Sequence, residues 1–318
     1  MNYVPVVDLS DFLSGHAEKR KRFIKELGDA NHEVGFVTVK NHGISEKLIE
    51  ELYREVKAFF SLPSEIKWKY ENKELAGQRG YTSFGKEHAK HSSVPDMKEF
   101  FQFGQIVTDD DPIRKEYPAN VWVEELPGFN EALVNAYRSF ENSGAHLLRA
   151  IALYLALPEN YFDKKIHNGN SILRAIHYPP ITQDPGKALR AEQHEDINLI
   201  TLLVGASAEG LEVLTVDGTW YAVTAMPGQI VVNVGDMLQR LTNNRLKSTT
   251  HRVVNPPKEL WGTSRYSIPF FLHPRSEMRL DCLGSCISLE NPRQYDPITA
   301  GEYLEERLVE IGLKKAKA

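Results

Sequence analysis

The stretch Ala191-Glu192-Gln193-His194-Glu195-Asp196-Ile197-Asn198-Leu199-Ile200-Thr201-Leu202-Leu203 constrains this chain more than any other. It sets an imidazole and a carboxylate two residues apart, just ahead of an apolar run of strand type. On an extended backbone side chains alternate, so His194 and Asp196 face the same way. Far downstream, His251 stands in Ser248-Thr249-Thr250-His251-Arg252-Val253-Val254, at the head of another β-branched run. Brought together, the three residues offer two nitrogens and one oxygen to one side of a metal. Its remaining positions stay open, the facial arrangement of a non-haem Fe(II) centre.

An isolated His-x-Asp pair is more often a surface pair, or a hydrogen-bonded couple in a core, than a ligand set. Three further features weigh toward ligation: His251 ahead of its strand, Tyr178-Pro179-Pro180 upstream, and Arg265-Tyr266-Ser267 about one strand later. Alternation places Arg265, Ser267 and Phe271 on one face of the last strand, with Tyr266, Ile268 and Phe270 on the other. A guanidinium and a hydroxyl two residues apart can hold a carboxylate, Arg by its bidentate fork and Ser by one hydrogen bond. Run back from Tyr178, the same alternation brings Ile176 and Arg174 to its face and turns His177 away.

The 318 residues carry a formal net charge of -5 and no low-complexity tract, the composition of a soluble globular protein. Asn2 to Asp8 reads as a strand rather than a signal peptide, and no apolar run approaches the length of a membrane span. Cys282 and Cys286 are too few for a disulfide framework or a zinc ribbon, and read as free thiols of a cytoplasmic protein. The basic run Lys19-Arg20-Lys21-Arg22 opens a segment where Phe23, Ile24, Leu27 and Ala30 recur at helical spacing, so it reads as a solvated helix face. With no aromatic-rich basic groove beside it, nucleic acid is not an expected partner, and neither is a membrane.

Taken in order, the chain reads as a strand over 4–9, a helix over 18–32, a strand over 35–39 and a turn at Asn41-His42-Gly43. Ser45 caps a helix that buries Leu48, Leu52, Val56 and Phe59. His42 reads as a turn histidine bonded to backbone. Residues 73–95, broken by Gly77, Gly80 and Gly85 and holding Tyr81, Phe84, His88 and His91, read as a long loop, either part of a lid over the site or a plain surface loop. A strand over 98–103 follows, then a helix over 129–157 in which Gly144 marks a bend or close packing. Short strands then take over, at 172–178, 199–204, 211–216, 220–223, 230–234, 251–254 and 265–272, with Asp217-Gly218 as a hairpin turn. That spacing indicates a sandwich or jelly roll. A helix over 297–313 closes the chain, with Tyr303, Leu304, Leu308 and Ile311 inward.

Several segments run collinearly with a known pattern: Val4-Pro5-Val6-Val7-Asp8-Leu9-Ser10, Gly35-Phe36, Asn41-His42-Gly43, Tyr178-Pro179-Pro180, Met226-Pro227-Gly228, Asn233-Val234-Gly235-Asp236, Leu241-Thr242-Asn243, Lys247-Ser248 and His251-Arg252-Val253. Over essentially its whole length the chain resembles the isopenicillin N synthase-like branch of the Fe(II)/2-oxoglutarate-dependent oxygenase superfamily. The resemblance implies a mainly β fold: a double-stranded β-helix (jelly roll) core flanked by α-helices, with an N-terminal α/β portion. It divides the chain into residues 1–125, packed on the core, and residues 126–318, which hold the long helix, the jelly roll and the C-terminal helix. It also implies Fe(II) bound by His194, Asp196 and His251. The distal carboxylate of 2-oxoglutarate would be clamped by Arg265 and Ser267 with help from Tyr178. O2 is then the second co-substrate and ascorbate the reductant in vitro. Turnover would release succinate and CO2 while a small-molecule substrate is hydroxylated, desaturated or cyclised.

Arg174 beside the metal suits an anionic or oxygen-rich substrate, and Phe271, Met237 and Leu241 are candidate apolar walls. Pairing of Arg174 with an acidic neighbour, and core packing of the other three, account for the same residues. Within the family, members that use O2 without 2-oxoglutarate also carry Arg-x-Ser. Isopenicillin N synthase has a Gln-Thr near its C-terminus, whereas this chain ends Lys314-Lys315-Ala316-Lys317-Ala318, which favours the 2-oxoglutarate users. Outside the family stand a Zn(II) jelly-roll hydrolase using the same triad, and a binding module without chemistry. Arg-x-Ser has no evident task in the first, and an intact ligand set speaks against the second.

Overall fold

The computed structural model describes residues 4–75, 77–87, 95–205 and 209–310. Their strands are β1 (Val6–Asp8), β2 (Phe36–Lys40), β3 (Gly80–Thr82), β4 (Glu99–Gly104), β5 (Ile172–Tyr178), β6 (Ala191–His194), β7 (Ile200–Val204), β8 (Leu211–Leu214), β9 (Trp220–Ala222), β10 (Gln229–Val234), β11 (His251–Val253), β12 (Arg265–Ser267) and β13 (Pro269–Leu272). A nine-stranded sheet runs β1-β2-β10-β7-β13-β5-β4-β3, with β12 also paired to β5. A four-stranded sheet runs β6-β11-β8-β9. The helices are α1 (Leu9–Leu13), α2 (Ala17–Glu33), α3 (Glu46–Phe60), α4 (Ser64–Trp68), α5 (Pro127–Tyr154), α6 (Asp163–Ile166), α7 (Asp236–Leu241) and α8 (Ala300–Glu310). The architecture is mixed α/β with two sheets. Helices hold more residues than strands, because α2, α3 and α5 are long and the strands are short.

The long helices follow their periodicity. Ser45 caps α3, its hydroxyl accepting from the Leu48 amide at 3.2 Å, and Leu52, Val56 and Phe59 are buried along one side. Pro127 starts α5, where a missing N–H costs nothing. This helix runs unbroken along the back of the large sheet, against β5, β7 and β13. A Cβ on Gly144 would stand 2.3 Å from Leu272 Cδ1, so this glycine serves close packing rather than a bend.

The structure departs from expectation where tertiary contacts overrule local pattern. The last strand is broken at Ile268-Pro269: β12 pairs β5 alone, whereas β13 lies between β5 and β7. Among the described residues of the span 73–95, β3 forms a short strand that pairs with β4, where the sequence pattern suggests only loop. Gly80 adopts φ +76°, and a Cβ would meet the Tyr70 carbonyl oxygen at 2.5 Å. His88 and His91 lie outside the described residues, as do Ile311 and the rest of the C-terminus. The polar strand β6 carries no apolar alternation that would announce it. Among the described residues no helix is long and apolar enough to cross a membrane.

Candidate metal centre and active-site cavity

The two sheets face each other across a cavity of about 340 Å³. From the large sheet β5 contributes Arg174, Ile176 and Tyr178, while β12 and β13 contribute Arg265, Ser267, Pro269 and Phe271. Opposite stand Ala191, His194, Leu211, His251 and Val253. The alternation read from the sequence therefore holds on both β5 and the broken last strand.

His194 and His251 are register partners on β6 and β11, so both rings leave the small sheet on one face, their centroids 4.4 Å apart. Each Nδ1 lies against a backbone carbonyl, Glu192 O at 2.7 Å and Thr249 O at 3.1 Å. A carbonyl only accepts, so each Nδ1 carries the hydrogen and each Nε2 keeps its lone pair. Asp196 lies past the end of β6, and alternation alone does not deliver it. The turn is held because the Asp196 carbonyl accepts from the Asp236 amide at 2.7 Å. Asp196 Oδ2 accepts from Thr201 Oγ1 at 2.5 Å and from Asn233 Nδ2 at 2.8 Å. Oδ1 then stands 4.0 Å from His194 Nε2 and 3.7 Å from His251 Nε2.

One donor atom from each of the three residues lies within 4.8 Å of those of the other two, close enough to hold a metal ion. Burial pushes the Asp196 carboxyl up, but His251, His194 and the Asn233 and Thr201 hydrogen bonds outweigh it and hold the pKa below its ordinary value. Burial and then the neighbouring His251 push His194 down, against the pull of Asp196. An ionised carboxylate and a neutral imidazole are the forms that bind a divalent metal, so the residues fit Fe(II) on donor chemistry.

At the far end, Arg265 and Tyr178 are register partners, with the guanidinium 5.0 Å from the phenol ring centroid. Ser267 stands two residues further along the same face. Reading the sequence alone misses Arg190. It lies 5.9 Å from the Tyr178 ring, donates from Nη2 to Thr263 O at 3.1 Å, and forms no ion pair among the described residues. Burial and then Arg265 lower its pKa to about 10. It adds positive potential beside Arg265 and Tyr178.

Arg174 is paired with an acidic neighbour, as one of its two readings expected, and it also lines the cavity. Nη1 pairs with Glu87 at 3.0 and 3.2 Å, Nε donates to Gln102 Oε1 at 3.0 Å, and the residue still lines the cavity. Its guanidinium sits 4.2 Å from the Phe100 ring and 5.4 Å from Phe271. Glu87 also meets Lys98 at 2.7 Å, and Lys98 meets Asp96 at 2.8 Å. Burial pushes Glu87 up, but Arg174 and Lys98 together bring it to about 2. Of the three candidate walls, Phe271 lines the cavity, whereas Met237 and Leu241 point from α7 into the main core. Leu304 and Leu308 of α8 line the cavity, a role that helical periodicity does not reveal. His42 is a turn histidine, its Nδ1 accepting from the Ile44 amide at 3.2 Å.

Comparison with known proteins agrees with this geometry. Residues 4–125 match the family described as non-haem dioxygenase in morphine synthesis N-terminal, and residues 169–274 match the 2OG-Fe(II) oxygenase superfamily. Proline hydroxylase buaE of Petromyces alliaceus is 34% identical, over 96% of this chain and 98% of its own. A solved structure of a Caulobacter crescentus protein assigned to the 2OG-Fe(II) oxygenase family superimposes with TM-score 0.88 at 42% identity, covering 98% of this chain and 100% of that one. A full-length Neurospora crassa protein, solved in complex with alpha-KG and thymine, gives TM-score 0.85 at 32% identity, covering 96% of each chain. The chain belongs to the 2OG-Fe(II) oxygenase superfamily, in its isopenicillin N synthase-like branch. It is a non-haem Fe(II)/2-oxoglutarate-dependent dioxygenase.

Proposed function

We propose that His194, Asp196 and His251 bind Fe(II), and that Arg265 and Ser267, beside Tyr178, bind the distal carboxylate of 2-oxoglutarate. One observation carries this reading: two Nε2 lone pairs and Asp196 Oδ1 converge, while the second polar atom of each of those side chains is engaged by the protein. When bound, Fe(II) and 2-oxoglutarate activate O2 with release of succinate and CO2. The protein's own part is orientation. The Glu192 and Thr249 carbonyls fix the two rings, and Thr201 with Asn233 keep Asp196 from rotating. Arg265 and Ser267 set the direction of the co-substrate, and Leu203, Leu211 and Val253 keep water from its chain.

The two facing sheets are the halves of a double-stranded β-helix in this reading, with residues 1–125 packed on 126–318. Arg174 and Phe271 face a small-molecule substrate. Two relatives support small size: one is a proline hydroxylase, and another holds thymine. Because Glu87 answers the charge of Arg174, an oxygen-rich substrate fits better than an anionic one. The buried free thiols of Cys282 and Cys286 suit a reducing, cytoplasmic setting. The test is anaerobic titration of 2-oxoglutarate into the Fe(II) protein, following the metal-to-ligand charge-transfer band, with succinate release measured in air with ascorbate. Wild type should show both, and His251→Ala neither. Full activity of His251→Ala would overturn the ligand assignment.

A further inference from the structure

Alternation along β13 continues past its end. Phe271 and His273 both line the cavity, while Leu272 between them is buried in the core. His273 Nδ1 lies 3.2 Å from the Phe271 carbonyl oxygen, so Nδ1 holds the hydrogen and Nε2 holds a lone pair. That Nε2 is buried and has no hydrogen-bond partner among the described residues. A buried acceptor without a donor is destabilising, and a ligand that supplies the donor recovers the loss. Protonation does not supply it near neutrality: burial pushes the ring down to about 4, with Arg79 and Arg174 adding to the effect against Asp196 and the Phe271 carbonyl. Arg174 lines the same cavity, and its charge acts on the His273 ring; it spends Nε on Gln102 and Nη1 on Glu87, while Nη2 has no partner among the described residues. The cavity thus presents one acceptor and one donor, next to the face of Phe271.

We propose that His273 is a specificity residue whose Nε2 accepts a hydrogen bond from a substrate N–H or O–H, while Arg174 Nη2 donates to a neighbouring carbonyl-type oxygen. The substrate class is then an uncharged, ring-sized molecule that sets a donor beside an acceptor, such as a lactam or an imide. The inference rests on the cavity being the active site, as read above. A carboxylate is disfavoured because it brings lone pairs to a lone pair, and because Arg174 is already neutralised by Glu87. An ammonium group is disfavoured because Arg174 Nη2 can only donate, and because the fully buried Arg79 has only neutral partners among the described residues.

The experiment is anaerobic equilibrium dialysis of glutarimide, N-methylglutarimide and cyclohexanecarboxylate against the protein loaded with Fe(II) and 2-oxoglutarate. Glutarimide should bind about tenfold more tightly than its N-methyl derivative, the effect of one buried hydrogen bond, and more tightly than the carboxylate. His273→Phe keeps the ring and removes the acceptor, so the preference should fall to about twofold or less with 2-oxoglutarate binding unchanged. His273→Gln, whose Oε1 can accept, should restore part of it. Equal binding of the two imides, binding of neither, or a preference that survives His273→Phe overturns the inference. Loss of 2-oxoglutarate binding by wild type would instead defeat the functional reading beneath it.

Discussion

Glu87→Gln removes one charge from a buried cluster in which Glu87 and Asp96 balance Arg174 and Lys98. Both Glu87 and Lys98 are almost entirely removed from water, so the variant leaves a net positive charge in the protein interior. Uncovering one partner of a buried pair costs about 3–5 kcal/mol. The position of the carboxyl gives a similar figure: displacement from 4.5 to about 2 corresponds to about 3 kcal/mol at about 1.4 kcal/mol per pH unit. The sign follows from linkage. Glu87 stays ionised below its ordinary pKa, so its contribution is complete above about pH 4.5 and is lost as pH falls toward 2. Urea unfolding followed by circular dichroism should therefore find the variant about 3 kcal/mol less stable at pH 7. The gap between the two proteins should narrow below pH 4.5, at up to about 1.4 kcal/mol per pH unit. A gap under about 1 kcal/mol at pH 7, or one that does not narrow in acid, would refute the reasoning.

Three further outcomes can be checked. Asn233→Leu leaves the three proposed ligands in place but frees Asp196 Oδ2 from one of its two donors, and should weaken Fe(II) binding about 10- to 100-fold in a metal-competition assay. Arg265→Lys keeps the charge but loses the planar fork, and should raise the 2-oxoglutarate concentration needed for half-saturation about 10- to 100-fold, with Ser267→Ala costing less and Fe(II) affinity little changed. Gly235→Ala would bring a Cβ to 2.3 Å from both the backbone and side-chain oxygens of Asn198, so thermal and urea unfolding should report a loss of about 1–3 kcal/mol.

The candidate donor residues, the Arg-x-Ser face and the cavity face of β5 are legible in the chain because each depends on a local rule. Strand alternation is set by backbone geometry, so Arg174, Tyr178, Arg265, Ser267 and Phe271 fall on a definite face whatever their tertiary contacts. The same rule extended by two residues finds His273. Asp196 is different: it lies beyond its strand, and its carboxylate is aimed by Thr201 and Asn233, which come from β7 and β10. Glu87 reaches Arg174 across 87 positions of sequence, from a glycine-broken segment with no periodicity to mark it. Met237 and Leu241 show the converse, since an apolar residue near a site can equally serve the core, and the turn of α7 decided which. The sequence by itself determined which donors exist and which side of each strand they occupy. The tertiary structure decided how the two imidazoles and one carboxylate converge, and which buried charges answer one another. Electrostatic pairing and hydrogen-bond satisfaction act between atoms close in space, whatever their separation along the chain.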